Sequence, residues 1–212
     1  YKIMDNWILV ALPMFIFMGN MLDKSGVADR LMFSMQAMFG KVHGGLAITV
    51  VSIGIILAAS TGIIGASVVL LAMMALPSML KQGYSKPLAL GTIASSGCLG
   101  ILLPPSIMLV IMADQLGLSV GDLFMAAVFP GLALGAMYIF YLLISGVLKP
   151  NGLPLPDTAE KVSFKIIWQV IKAIIPTLLL ILAVLGSIFA GIATPTEASG
   201  VGAAGATLLA IY

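Results

Sequence analysis

Charged side chains are scarce in this sequence. Lysine and arginine contribute 10 residues and aspartate and glutamate 8, which is 8% of the 212 residues, against about 25% in an ordinary soluble domain. Hydrophobic residues make up 61%, and the mean hydropathy is +1.18. This composition excludes a soluble globular protein, and the sequence also lacks the alternating strands of an outer-membrane barrel. An all-α, polytopic integral membrane protein is therefore predicted.

Residues that carry most enzyme and metal chemistry are also few. The sequence has one cysteine, Cys98, and one histidine, His43. A single cysteine excludes an internal disulfide and argues against a metal cluster. The sequence has no nucleophile with a matching histidine and acid, no pair of zinc ligands and no phosphate-binding loop, so we do not expect an enzyme. The few loop lysines bear on membrane topology rather than on nucleic-acid binding.

What the sequence has instead is a series of uncharged runs, most of them near or above the roughly 17 to 25 residues that a spanning helix needs. It begins with Tyr1 rather than methionine and ends with Tyr212 inside an apolar run, so we expect a fragment of a longer protein. The predicted segments of its single transmembrane domain are a span at 6–22, an interfacial or arm helix at 27–41, a hairpin at 44–80, a broken span at 87–115, a span at 122–148, a span with an amphipathic start at 163–193 and the start of a further helix at 195–212.

The stretch 44–80 is central to this prediction. It holds 37 residues without a charged side chain, and a straight helix of that length would measure about 55 Å, against about 30 Å for the hydrocarbon core. The stretch must therefore break, and residues 60–67 in its middle supply small hydroxyl and glycine residues for the break. Backbone groups freed at membrane depth need partners other than lipid, which makes the break a candidate ion or substrate site.

The basic residues indicate how often this stretch crosses the membrane. If 44–80 enters and leaves on one side, nine of the ten basic residues share one face, and the loop 114–122 and Glu197 lie on the other. A single crossing would lose this bias toward positively charged cytoplasmic loops. The charge bias does not distinguish a re-entrant hairpin from two full spans. Halves of about 16 and 14 residues, however, are short for spans. We therefore expect a re-entrant hairpin that enters from the cytoplasm.

A second interruption lies in the span 87–115, where serine and glycine pairs are followed by Pro104 and Pro105. A double proline breaks a helix, because it removes backbone donors and clashes with the preceding turn. Two interrupted elements close together in sequence indicate a transporter site near the midplane. The alternative is that the small residues only pack helices, and the double proline favours the functional interpretation. Glu197 is either a buried functional acid or, more commonly at such a helix start, a cap.

Five motifs follow one another along the chain: FMGNMLDKSG at 17–26, STGIIGAS at 60–67, SSGCLGILLPPSI at 95–107, FPG at 129–131 and GIATPTEA at 191–198. Together they resemble the large membrane subunit of tripartite ATP-independent periplasmic (TRAP) transporters. The resemblance implies an elevator-type secondary transporter with two inverted repeats, each containing a re-entrant hairpin and a broken helix. This chain would supply the first repeat, and the second hairpin and second broken helix are expected after residue 212.

The resemblance also implies the coupling ion, the substrate, the partners and the location of the transporter. Na⁺ would drive the import of a small carboxylate delivered by a periplasmic substrate-binding protein, with a small membrane subunit and membrane lipid as further partners and no nucleic acid. The expected location is the cytoplasmic (inner) membrane of a bacterium or archaeon. Na⁺ is expected near Ser60, Gly65, Ser67, Ser95, Ser96 and Gly100. The substrate is expected near Thr61, Gly62, Gly97, Pro104 and Pro105.

One position departs from the family pattern, and two other functions stay open. Gly97 and Cys98 stand where many members of the family have a Ser-Thr pair, which argues against a side-chain ligand at position 97. The first alternative function is an ion or dicarboxylate carrier that needs no binding protein. The second is a non-transporting membrane assembly subunit whose glycine and serine clusters only pack helices.

Overall fold

The computed structural model describes residues 7–39, 43–148, 153–154 and 164–211. Within these ranges all regular secondary structure is helical, which confirms the all-α prediction. The helices are α1 (Trp7–Lys24), α2 (Val27–Phe39), α3 (Gly45–Thr61), α4 (Ile64–Lys81), α5 (Lys86–Cys98), a 3-10 turn (Leu99–Ile101), α6 (Ile107–Leu116), α7 (Val120–Leu148), α8 (Phe164–Phe189) and α9 (Pro195–Ile211).

Three of the described helices are long and apolar enough to cross a membrane: α4, α7 and the part of α8 from Val170 to Phe189. Large apolar side chains cover the outside of α7, where Phe129 is 81% and Val147 is 83% exposed. Water would disfavour such a surface, whereas the hydrocarbon core of a bilayer solvates it. The helices therefore belong to a polytopic membrane protein.

The stretch 44–80 breaks near its middle. α3 ends at Thr61, Gly62 has a φ of +62°, and Ile63 is extended before α4 begins. Tyr84, just beyond the end of α4, is buried against the backbone of Leu46 and Ala47 in the first turn of α3. The start of α3 and the end of α4 therefore meet, so the two helices run antiparallel as a hairpin with its tip at 62–63.

The two helices of the hairpin are longer than the sequence predicts. α3 has 17 residues and α4 has 18, rather than the roughly 16 and 14 expected from the sequence, because the helices continue through the serines at both sides of the break. α4 reaches the length of a membrane span. The lengths alone therefore no longer favour a re-entrant hairpin over two spans.

α5 packs into the angle between the two hairpin helices through small residues. A Cβ atom built on Gly54 of α3 would lie 2.7 Å from the Cβ atom of Ser96, and a Cβ atom on Gly97 would lie 3.0 Å from the Cα atom of Val68 in α4. Neither position has room for a side chain, so the three backbones approach closely. α3, α4 and α5 form one tightly packed unit.

The span predicted at 87–115 is broken where the two prolines lie. α5 ends at Cys98, the 3-10 turn ends at Ile101, and α6 begins at Ile107. The peptide bond between Pro104 and Pro105 is cis. Between the 3-10 turn and α6 the chain follows turns and bends rather than a helix.

A second packed cluster joins α1, α6, α7, α8 and α9, and its buried members include Phe15, Met18, Val110, Phe124, Val184, Ile188 and Ala206. Some predicted features lie outside the described residues: residues 40–41 of the arm helix, residue 163 with the side chains of 164–167 in the amphipathic start, residue 212, and the side chains of Ser60 and Thr61.

Candidate functional site

The tip of the hairpin lies against the break in the second element. A Cβ atom on Gly62 would stand 2.8 Å from the carbonyl oxygen of Pro105 and 3.2 Å from the Cα atom of Ser106. Gly62 is buried, and its positive φ suits glycine, which lacks the Cβ atom that disfavours this region. The structure thus brings together the two interruptions, which are about 40 residues apart in the sequence.

The first turn of α4 faces the 3-10 turn. A Cβ atom on Gly100 would lie 3.6 Å from Ser67 Oγ and 3.7 Å from the carbonyl oxygen of Ile63. Ser67 is completely buried, and its N–H donates to the Ile63 carbonyl at 3.3 Å. Ser67 and Gly100, two of the positions expected to hold Na⁺, are therefore neighbours across the contact.

Two helix N-termini lie beside this contact. α4 begins after Ile63 and α6 begins after Ser106, and none of the side chains that the structure describes caps either helix with a hydrogen bond. The first turns of both helices carry N–H groups without intrahelical partners and the positive ends of the helix dipoles. The α6 end touches the tip directly, because a Cβ atom on Gly62 would lie 3.2 Å from Ile107 N. Such helix ends attract carboxylates.

The end of α3 brings groups of the opposite polarity to the same place. α3 ends at Thr61, so its last carbonyl groups, which have no intrahelical donors, lie at the tip. On the other side of the contact, the Ile101 carbonyl accepts a hydrogen bond of 3.0 Å from the Ser106 hydroxyl, which is fully buried. The tip therefore offers carbonyl oxygens for a hard cation as well as amide groups for an anion.

The remaining predicted residues do not all converge on the tip. The Ser96 hydroxyl donates to the Thr92 carbonyl at 2.6 Å on the side of α5 that packs on α3, and the Ser95 hydroxyl donates to the same carbonyl at 3.1 Å. Ser95 lines a cleft that faces α7. Gly97 serves packing on Val68, and a Cβ atom on Gly65 would meet open space. Pro104 and Pro105 are buried, and Pro105 touches the tip.

Two contributors were missed by sequence reasoning. Gly54 lies in a uniformly apolar run, where nothing in the pattern distinguishes it from other small residues. Ser106 follows the double proline directly, and its position offered a signal, because a hydroxyl there can bond to the carbonyls that the prolines leave without donors. Its bond to Ile101 fixes the loop against which the tip lies.

Glu197 acts as a helix cap. Its carboxylate accepts hydrogen bonds of 2.8 Å from the Thr194 N–H and from the Thr194 hydroxyl, and its own N–H donates to that hydroxyl at 3.3 Å. This reciprocal arrangement is a capping box. The Thr194 N–H and then the Thr194 hydroxyl lower the pKa of Glu197, which is exposed. The geometry favours the cap over a buried functional acid.

Comparisons with known proteins agree with these observations. The family model for the DctM component of tripartite ATP-independent periplasmic transporters matches residues 1–212. The C4-dicarboxylate TRAP transporter large permease protein DctM of Rhodobacter capsulatus is 36% identical over 98% of this chain and 49% of its own length. The protein of the same name from Vibrio cholerae is 38% identical over 93% of this chain and 43% of its own length.

A relative with a different named substrate is also similar. The ectoine TRAP transporter large permease protein TeaC of Halomonas elongata is 32% identical over 90% of this chain and 44% of its own length. The chain thus spans about half the length of the relatives it matches. The motif at the hairpin tip, the double-proline break that it touches and a family match over the whole sequence lead to one conclusion: the chain belongs to the DctM family, the large membrane subunits of tripartite ATP-independent periplasmic transporters.

Proposed function

We propose that this chain forms half of a binding and gating unit in a Na⁺-coupled importer of a small carboxylate. The contact of Gly62 with the loop at Pro105 and Ser106 carries the proposal, because it places two interrupted helices at one point. The substrate class is supported by the relatives named for C4-dicarboxylates. A periplasmic binding protein would deliver the substrate, and a small membrane subunit would complete the membrane complex, as the resemblance to TRAP transporters implies.

The first step of the mechanism is recognition of the anion. A carboxylate brought to the tip would meet the N–H groups at the start of α4 and α6, which lack cap bonds. Both helix dipoles favour negative charge there. Ile107 lies next to Gly62, so a substrate bound at the α6 end would touch the hairpin tip. Substrate binding would thereby change the contacts of the hairpin tip.

The second step is coupling to Na⁺. The carbonyl groups at the end of α3 and the Ser67 hydroxyl supply oxygen, which Na⁺ prefers as a hard cation. Neutral oxygen ligands hold a cation without adding net negative charge, so the bound Na⁺ can offset the charge of the carboxylate. Neutralisation lowers the cost of carrying an anion through a medium of low dielectric constant. Cation and substrate would thereby stabilise one another.

The third step is movement. The small-residue contacts at Gly54 and Gly97 hold α3, α4 and α5 together, so this unit is expected to move as one body in an elevator-type transport cycle. A second, inverted repeat with its own re-entrant hairpin and broken helix would complete the site from the other side of the membrane. The fully formed transporter would occupy the cytoplasmic (inner) membrane of a bacterium or archaeon.

Uptake into proteoliposomes tests the proposal. The full-length protein, its small membrane subunit and its binding protein are reconstituted, and uptake of labelled succinate is followed with and without a Na⁺ gradient. Ser67→Ala removes the side-chain oxygen and adds no bulk at this fully buried position. We expect the Na⁺ concentration for half-maximal uptake to rise at least about tenfold, as the loss of a ligand to a buried ion implies.

Ser187→Ala provides the matched control. Its hydroxyl donates to the Val184 carbonyl at 2.8 Å within α8, so Ser187→Ala removes a serine oxygen in the same way, but away from the tip. Uptake by this variant should equal that of the parent protein. Ser67→Ala with an unchanged Na⁺ dependence would remove Ser67 from the cation site. Uptake without any need for the binding protein would favour the carrier alternative.

A further inference from the structure

A cleft separate from the hairpin tip runs between α3, α5 and α7. Its volume is about 380 Å³, within the range of small-ligand sites, which is roughly 300 to 1,000 Å³. It is lined by Val51, Pro87, Leu88, Gly91, Thr92, Ser95, Tyr138, Tyr141 and Leu142. The proposed transport mechanism uses none of this surface. Ser95, which the sequence placed near Na⁺, has its hydroxyl bonded to the Thr92 carbonyl.

The chemistry of the lining is that of an amphiphile site. Most lining residues are apolar, and none is charged, so a small dianion would lose its hydration there without gaining a counter-charge. The polar groups are hydroxyls from α5 and phenols from α7. Tyr141 is 62% exposed, and tyrosine is typical of the layer where acyl chains meet headgroups.

The mouth of the cleft lies at the basic end of the hairpin unit. Pro87 lies in the first turn of α5 and lines the cleft. Lys86, the first residue of α5, is exposed, as is Lys81 at the end of α4. Tyr141 lies seven residues before the end of α7 at Leu148, which is about 10 Å along the helix. The two lysines and Tyr141 therefore lie where a lipid headgroup would meet the protein. The apolar part of the cleft extends from there toward the membrane interior.

We propose that the cleft is a phospholipid site that selects anionic lipid. An acyl chain would occupy the space beside Gly91 between α5 and α7, and the phosphate-bearing headgroup would lie near Lys86. The site contacts both α5, a member of the moving unit, and α7, so a bound lipid would stabilise their contact. The inference does not rest on the transport function, because lipid binding can be measured without substrate, Na⁺ or partner proteins.

Gly91 offers a clean way to fill the cleft. A Cβ atom at this position meets nothing within 4 Å, so Gly91→Leu adds bulk to the cleft without a clash at its first atom. The full-length protein is purified in a mild detergent, incubated with equal amounts of phosphatidylglycerol and phosphatidylcholine, and examined by native mass spectrometry. The parent protein should retain phosphatidylglycerol in preference, and Gly91→Leu should lower the retained lipid at least about tenfold, since several methylene contacts are lost.

Two further variants make the result specific. Gly186→Leu is the matched control, because Gly186 is an exposed helical glycine with nothing within 4 Å, and its lipid retention should be unchanged. Lys86→Gln alters only the surface and should lower the preference for phosphatidylglycerol about fivefold. That variant decides the question if Gly91→Leu fails to fold.

The site would be rejected by any of three results. The first is retention by folded Gly91→Leu of as much lipid as Gly186→Leu retains. The second is equal retention of phosphatidylglycerol and phosphatidylcholine by the parent protein. The third comes from Gly91→Cys in a Cys98→Ser background. If a membrane-soluble maleimide fails to label that cysteine even after delipidation, another part of the full-length protein covers the cleft, and no lipid occupies it.

Discussion

Gly62 at the hairpin tip lies so close to Pro105 that a methyl group at Gly62 would stand 2.8 Å from the Pro105 carbonyl oxygen. The two residues come from different interrupted helices, and both are in irregular backbone. Since backbone atoms form the contact, neither partner can adapt by changing a rotamer. The closeness of tip and loop therefore depends on the absence of a side chain at position 62.

Gly62→Ala is expected to destabilise the protein for two reasons. The φ of +62° costs a non-glycine residue about 1–2 kcal/mol, and the crowded contact adds about 1–3 kcal/mol. Thermal unfolding of the full-length protein in detergent should show a lower Tm, with slower Na⁺-dependent uptake. Gly65→Ala is the control for stability, because its Cβ atom meets open space in the same tip. An equal Tm for both variants would contradict the proposed tip contact.

Gly97 and Val68 make a second test of backbone proximity. A Cβ atom on Gly97 would lie 3.0 Å from both Cα and N of Val68, so Gly97→Ala must push α5 away from α4 at a cost of about 1–3 kcal/mol. Gly100→Ala, on the adjoining 3-10 turn, places its Cβ atom at ordinary contact distances of 3.6 Å or more and should leave Tm nearly unchanged.

A double-mutant cycle separates the side-chain clash from the backbone clash at this contact. Val68→Ala removes the nearest side-chain carbon but leaves Val68 Cα and N in place. The destabilisation caused by Gly97→Ala should therefore be only partly relieved in the double variant. Chemical denaturation or thermal unfolding of the four proteins gives the coupling free energy. Full relief would mean that the Val68 side chain alone sets the spacing of α4 and α5. The same spacing predicts that Gly97→Ser destabilises this chain.

Much of the helical architecture could be predicted because its causes are local. A run of 37 uncharged residues is too long for one span, and glycine at 62 and the two prolines fix where the helices stop. The exact lengths of α3 and α4 were not predictable, because serines and small residues are tolerated in a helix when neighbouring helices cover them. α4 thus extends to 18 residues.

The orientation of the serines could not be predicted, because it depends on helix packing in three dimensions. Ser95 and Ser96 adjoin in sequence, but Ser96 lies against Gly54 of α3 and Ser95 faces the cleft beside α7. A bulky residue at position 96 would therefore test the packing of α5 on α3 rather than cation binding. Ser67 is a predicted position with a described side chain, and its oxygen lies close to the 3-10 turn.

The capping box at the start of α9 predicts a structural role for Glu197. Because its pKa is lowered, the stability it contributes is present above the carboxyl pKa of the unfolded chain and is lost as pH falls through the lower pKa of the folded state. Glu197→Ala should lower Tm by a few degrees at pH 7 and little at strongly acidic pH, and uptake kinetics should stay close to the parent values. Loss of uptake in a stable Glu197→Ala protein would instead identify a functional acid.

Tyr84 is expected to hold the start of α3 and the end of α4 together. The side chain is 4% exposed, and burial raises its pKa, an effect that the backbone amides of Ala47 and Leu46 partly oppose. Among the described residues, however, none forms a hydrogen bond with the phenolic oxygen, so the ring contributes mainly by packing. Tyr84→Ala should leave a cavity that costs about 3–5 kcal/mol, whereas Tyr84→Phe keeps the ring and should change stability by less than about 1 kcal/mol.

Hydrogen exchange distinguishes a local separation of the α3 start from the α4 end from a general loss of stability. If Tyr84 covers the first turn of α3, the amides of Leu46 and Ala47 should exchange faster in Tyr84→Ala by a larger factor than amides near the end of α9, while Tyr84→Phe should match the parent protein at both places. Uniform acceleration along the chain would mean that the substitution only lowers global stability. Unchanged exchange at Leu46 would show that the two ends of the hairpin are held together without Tyr84.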